Sequence, residues 1–272
     1  MPVILLISFI LLLLLAYFGL KFQRKRYNER LMSSEIEPEW VVILQENISL
    51  YKKLPFDLRK RLHGLINVFI HNKNFSGYNG LEITDEIKVT IAAQACMLLL
   101  NRDEELYPSL KNIFVYPGAF RSMQSVHYGM VKTLQESVRV GESWHLGHVV
   151  LSWRHSKQGG LNDHDGHNVV YHEFAHQLDH QDGLIDGTPV LDTAENYHDW
   201  SIVFSKEFEK LRIKVSRHQK TWIDSYGAMS EGEFFAVVTE MFFEKPKLFK
   251  KEHAKLYREL EKYYHLSPVE WF

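Results

Sequence analysis

The segment Tyr171-His172-Glu173-Phe174-Ala175-His176 carries an H-E-x-x-H pattern. On a helix, side chains four residues apart stand on one face, one turn apart. His172 and His176 can therefore aim a ring nitrogen each at a single metal ion. Glu173 then lies beside that ion, placed to take a proton from water. Zinc in a hydrolase uses three protein ligands and keeps one position open. The lone cysteine, Cys96, can form neither an internal disulfide nor a thiolate site, so the ligands must be histidine and carboxylate. Downstream, the segment from Glu231 to Glu240 offers Glu233 and Glu240. Their spacing of seven returns to nearly the same helical face about 10 Å along the axis, so only one of the two can reach the ion directly.

These side chains need a scaffold. Val169, Val170, Phe174 and Leu178 give the motif an apolar side and predict a helix from about His167 to His180, stopped by Asp182-Gly183. Before it, Ile113–Tyr116 and His148–Trp153 read as short strands, and the strand around Val149–Trp153 is a candidate edge for an extended peptide. The polar stretch between them and the motif, Ser156–Gly166, reads as a loop. Earlier helices are expected over Pro38–Lys53, over Pro55–His71 and from an N-cap at Thr84 to about Asn101, with Asn72–Gly80 as a loop. Later helices are expected over Asp192–His218, Gly232–Phe243 and Lys247–Tyr264. The fold class is α+β, mostly helical with a small sheet.

The N-terminus differs in kind. Val3 to Leu20 carries no charged side chain, and about 18 residues at 1.5 Å each span about 27 Å, enough for a hydrocarbon core. Lys21, Arg24, Lys25 and Arg26 follow at once, while no basic side chain precedes the run. That pattern predicts one uncleaved transmembrane anchor, residues 1–21, with the remainder facing the cytoplasm. Residues 22–37 read as a juxtamembrane linker and residues 38–272 as the folded domain.

With 45% hydrophobic and 24% charged residues among 272, long disorder and a disulfide scaffold are excluded as the character of the chain. A formal net charge of −2, with no basic stripe carrying interleaved aromatics, argues against direct nucleic-acid binding.

The run from His148 through Asp179, with "VVLSW" and then "NVVYHEFAHQLD", resembles the Mlc titration factor A family of zinc metallopeptidases. The likeness continues in Tyr226, Glu233-x-Phe-Ala-Val-x-x-Glu240 and Phe242-Phe243, and earlier near Trp40, Leu81-x-Ile-Thr-Asp-Glu86 and Ile91-Ala-x-Gln-Ala95. It covers most of residues 38–265, and the anchor departs from the soluble members. The resemblance implies a zincin-like fold in which His172, His176 and Glu233 hold zinc and Glu173 is the general base. It also implies that Tyr226 steadies the oxyanion and that Glu240 and Asp179 orient the histidines from behind. The partner it implies is a peptide or protein substrate. An alternative is a regulatory protein that sequesters a transcriptional repressor.

Overall fold

A computed structural model describes the backbone of residues 2–102, 105–128, 131–144 and 147–272, with side chains described outside 2–8, 121–139 and 142–144. In chain order the elements are α1 (Pro2–Ser33), α2 (Pro38–Asn47), α3 (Phe56–Asn72), β1 (Asn74–Gly77), α4 (Asp85–Met97) and β2 (Asn112–Tyr116). A run of strands follows: β3 (Phe120–Tyr128), β4 (Val131–Arg139), β5 (Gly141–Trp144) and β6 (His148–Ser152). The rest is helical: α5 (Trp153–Leu161), α6 (Val169–Asp179), α7 (Ala194–Ser216), α8 (Glu231–Glu244), α9 (Pro246–Glu252) and α10 (Ala254–Tyr264).

The sheet runs in the order β1-β2-β6-β5, with the first three strands parallel and β5 antiparallel at the edge. Ile113 and Val115 alternate into the core opposite Val149 and Leu151. The sequence-based edge assignment is corrected here. β6, containing Val149, lies between β2 and β5, so the free margin belongs to β5. β3 and β4 form a separate antiparallel ribbon.

α4 runs through the interior with every residue from Val89 to Met97 buried, and Thr84 caps it by accepting the Ile87 N–H. The motif helix α6 rests its back on aromatic rings: Phe174 lies 4.8 Å from Tyr107 and 5.8 Å from Phe69 between centroids, and Tyr171 lies 5.2 Å from Phe243. These contacts fix which face of α6 is left for chemistry.

Several segments differ from the sequence reading: the final helix expected over Lys247–Tyr264 is two, α9 and α10, divided at His253, and three others change class. Residues 22–37, expected as a linker, are helical through Ser33, because the last turns of α1 pack on α3. Asn72 Nδ2 donates to Asn28 Oδ1 at 2.9 Å, Asn67 Nδ2 donates to Ser34 Oγ at 3.0 Å, and Gly64 leaves room for Met32. Much of the stretch expected as a loop over Ser156–Gly166 is α5, whose two glycines hid it. A Cβ on Gly160 would stand 2.5 Å from the Asn47 carbonyl oxygen, so close packing demands the residue that weakens helix propensity. Part of the loop at Asn72–Gly80 is β1, in which Phe75 is the one apolar side chain among Asn74, Ser76 and Gly77, too few to announce a strand. The expected anchor begins within residues whose side chains lie outside the described set. From Phe9 to Leu20 α1 is exposed, and among the described residues no helix is long and apolar enough to cross a membrane.

Candidate metal centre

Asn168 starts the site. Its Oδ1 accepts the N–H groups of Val170 and Tyr171, each at 3.0 Å, which caps α6, and its Nδ2 donates to buried Gln94 Oε1 at 3.0 Å. α8 is started in the same way by Ser230, whose Oγ accepts the Glu233 N–H at 3.2 Å. Both functional helices are thus held at the end nearest their chemistry.

Docking of α8 on α6 brings Glu233 Oε2 to 2.9 Å from His172 Nε2 and 3.3 Å from His176 Nε2. One ligand atom from each of the three residues lies within 4.8 Å of the other two, close enough to share a metal ion. Two imidazoles and a carboxylate are a donor set that zinc uses. Behind His172, Nδ1–H donates to Glu240 Oε1 at 2.8 Å, and Glu240 Oε2 accepts the Asn168 N–H. A carboxylate on Nδ1 fixes the tautomer that turns the Nε2 lone pair toward a metal.

Burial pushes the His172 imidazolium down, but the carboxylates of Glu233 and Glu240 against its two nitrogens win and hold its pKa well above the usual histidine range. Burial pushes Glu233 up, and the two imidazoles outweigh it, holding the carboxyl well below its usual range. The site is an electrostatically tight cluster of two histidines with the carboxylates of Glu233 and Glu240.

Glu173 is buried at 6% exposure next to β5. A Cβ on Gly141 would stand 2.5 Å from Glu173 Oε1, so the strand passes almost in contact with that carboxylate. Tyr226 hangs at the open side. Its hydroxyl donates to Glu233 Oε1 at 3.3 Å, and its N–H is held by Asp224 Oδ1 at 2.8 Å. His172, Glu173, His176, Tyr226, Glu233 and Glu240 therefore converge.

Asp179 does not join them as expected. It is fully buried and its Oδ2 accepts the Gly187 N–H at 3.1 Å, tying the loop after α6 to the helix. Asp179 Oδ1 and His176 Nδ1 are both buried without a hydrogen-bond partner, so no bond between them orients the imidazole. Burial pushes the Asp179 carboxyl up to about 6.

With this geometry in place, comparison with known proteins is decisive. The sequence profile of the glucose-regulated metallo-peptidase M90 family matches residues 21–265. The chain belongs to the M90 family. An uncharacterized protein of Synechocystis sp. is 40% identical over 243 residues, covering 89% of this chain and 88% of that one. Mlc titration factor A of Klebsiella pneumoniae is 28% identical over 218 residues, covering 78% of this chain and 80% of its own length. The same factor of Escherichia fergusonii is 27% identical over 237 residues, covering 85% and 87%.

A metallopeptidase family implies a metal, and in this M90 protein the group formed by His172, His176 and Glu233 could bind it. The fold adds three residues that the sequence reading did not single out. Asn168 caps α6 and reaches Glu240, a role signalled by an asparagine just before a helix. Gly141 gives β5 its clearance over Glu173, and nothing local marks it. Glu244 Oε2 accepts the N–H groups of Gly166 at 2.9 Å and His167 at 3.1 Å, steadying the turn that leads to Asn168. Its signal was spacing: Glu233, Glu240 and Glu244 recur on one face of an otherwise apolar helix.

Proposed function

We propose that this M90 protein is a zinc peptidase of zincin-like fold, anchored in the cell membrane by residues 1–21 with its catalytic domain in the cytoplasm. One observation carries the catalytic part: a single Glu233 oxygen stands between the Nε2 atoms of His172 and His176, with Glu173 on the adjacent helical position. His172, His176 and Glu233 would hold the ion. When bound, zinc supplies Lewis acidity at the scissile carbonyl and makes a water molecule acidic near neutral pH.

The chain's own groups do the rest. Glu173 accepts the proton of the attacking water and passes it to the leaving amine. The Tyr226 hydroxyl donates a hydrogen bond to the developing oxyanion. β5 orients the substrate. Ser152 N–H donates to the Val140 carbonyl, and Gly141 pairs with Leu151 in the next, non-hydrogen-bonded position. The N–H and C=O of residue 141 therefore face away from β6, where an extended peptide can add as a further strand.

The anchor is supported by the uncharged run Val3–Leu20 and the four basic residues after it. A second reading, a regulatory protein that sequesters a transcriptional repressor with peptidase activity secondary, is favoured by the name Mlc titration factor A borne by relatives at 27–28% identity. Glu173→Gln separates the two. With the metal content unchanged, peptide hydrolysis is expected to fall to background. Wild-type turnover in the metal-loaded variant overturns the peptidase mechanism. Loss of turnover with an unchanged cellular phenotype favours sequestration.

A further inference from the structure

A groove of about 1440 Å³ opens where the C-terminal half of α1 meets α3 and the segment around residues 105–108. It is larger than the roughly 300–1,000 Å³ of an ordinary small-molecule site. One part of its lining is apolar, with Phe18, Leu65, Val68 and Leu106. The other is charged, with Lys21, Arg24 and Lys25 from α1, Arg61 from α3 and Arg102 outnumbering Glu29 and Glu105. Arg61 Nη2 donates to the Arg102 carbonyl at 2.8 Å, which holds the guanidinium at the groove, and Arg24 meets Glu105 at 3.4 Å at the exposed rim.

The position of this groove along α1 matters more than its size. Leu12, Leu15 and Leu20 are between 64% and 68% exposed, on different faces of a helix that the described residues of the chain do not cover there. Lys21 to Lys25 follow within about 8 Å of Leu20 at 1.5 Å per residue. The polar layer on each side of a bilayer's hydrocarbon core is itself about 5–8 Å thick. Cations and apolar wall therefore fall at the level where a phosphate sits above its acyl chains. Basic residues immediately after a span also explain topology, but Arg61 is on a different element of the folded domain and lines the same groove. A topology signal has no need of it.

We infer that this groove is a binding site for an anionic glycerophospholipid, the phosphate held by Lys25, Arg24 and Arg61 and an acyl chain lying along Phe18 and Leu65. The inference rests on the anchored reading above. It makes the lipid a wedge between α1 and α3 that sets how the catalytic domain stands on the membrane.

The test uses the full chain reconstituted in nanodiscs of phosphatidylcholine alone and of equimolar phosphatidylcholine and phosphatidylglycerol, then extracted in detergent. Native mass spectrometry reads which lipid stays bound. Phosphatidylglycerol is expected to be retained in several-fold excess. Lys25→Gln and Arg61→Gln are each expected to cut that ratio by roughly fivefold, the weight of one cation at an anionic surface. Arg26→Gln is the control: Arg26 is the next residue of α1, turned about 100° from Lys25 and outside the groove lining, and its loss should lower the ratio clearly less than that of Lys25. Equal retention of the two lipids overturns the site, and so does an Arg26 effect as large as that of Lys25. A chain that enters neither nanodisc overturns the anchor itself, which distinguishes that failure from the first.

Discussion

Glu240 grips the motif helix at two points: its Oε1 accepts Nδ1–H of His172 at 2.8 Å, and its Oε2 accepts the backbone N–H of Asn168, the residue that caps the helix. One carboxylate thereby sets both the tautomer of a ligand and the start of the helix that carries it.

From that relationship comes a contrast between the two glutamates of α8. Removing Glu233 leaves two histidines, whereas removing Glu240 leaves all three ligand groups with one imidazole less well oriented. Loss of such an orienting partner weakens metal affinity about 10–100-fold. Glu233→Ala is expected to purify without zinc and Glu240→Ala to remain mostly loaded at ordinary zinc concentrations. Zinc stoichiometry on the two proteins decides it, and a loaded Glu233 variant beside an empty Glu240 variant reverses the roles.

Gly141 offers a prediction about clearance. An added Cβ would stand 2.5 Å from Glu173 Oε1 and 2.6 Å from Val169 Cγ2. Gly141→Ala must therefore push Glu173 or β5 aside. A displacement of that order costs about 10²-fold in turnover, while the ligands themselves are untouched. Expected is a metal-loaded, folded protein with a collapsed kcat; wild-type kcat would show that the strand gives way at no cost to the base.

Lys73 supplies the pH dependence. It is 7% exposed, and its ammonium donates to the Tyr107 and Leu110 carbonyls at 2.7 and 2.9 Å. Burial, aided by Lys111, lowers its pKa to about 8. The unfolded chain, with a lysine pKa of about 10.4, binds more protons above pH 8, so this residue's contribution to stability rises with pH between those two values. It is lost again as pH falls through 8. The full swing is on the order of 3 kcal/mol. Urea denaturation of wild type and Lys73→Met across this range should show the difference moving in favour of wild type. A constant difference refutes the shift.

Topology is open to a direct measurement. The basic residues after Leu20 predict a cytoplasmic C-terminus. A C-terminal alkaline phosphatase fusion should be inactive and a fluorescent protein fusion bright. The opposite pair of results would put the catalytic domain outside.

The sequence revealed most about elements whose chemistry is local. The spacing of His172 and His176, the cap at Thr84 and the short apolar run Ile113–Tyr116 ending at Pro117-Gly118 each state their structure within a few residues, and each stands where the sequence puts it. The convergence of Glu233 on the histidines also follows, given the family pattern. What stayed hidden depends on distant partners. α5 packs its glycines closely on Asn47 and Asn168, and β6 is internal because β2 and β5 pair with its two sides, which leaves β5 outermost. Asp179 lies one turn from His176 and feels its charge, while its hydrogen bond to the Gly187 N–H is a contact the local sequence does not announce.

His172 meets Glu233 and Glu240 across 61 and 68 residues of chain. That separation has a bearing on biosynthesis. While the chain is still being made, the helix with both histidines is complete long before the residue that joins them, and α8 cannot dock until its whole length has left the ribosome. A nascent molecule thus carries the motif but not the centre. In the peptidase reading proposed above, its own unfolded segments are extended peptides of the kind β5 would receive, and during synthesis they meet no assembled centre of their own chain. Order of synthesis thus keeps the centre unassembled until Glu233 and Glu240 are both in place.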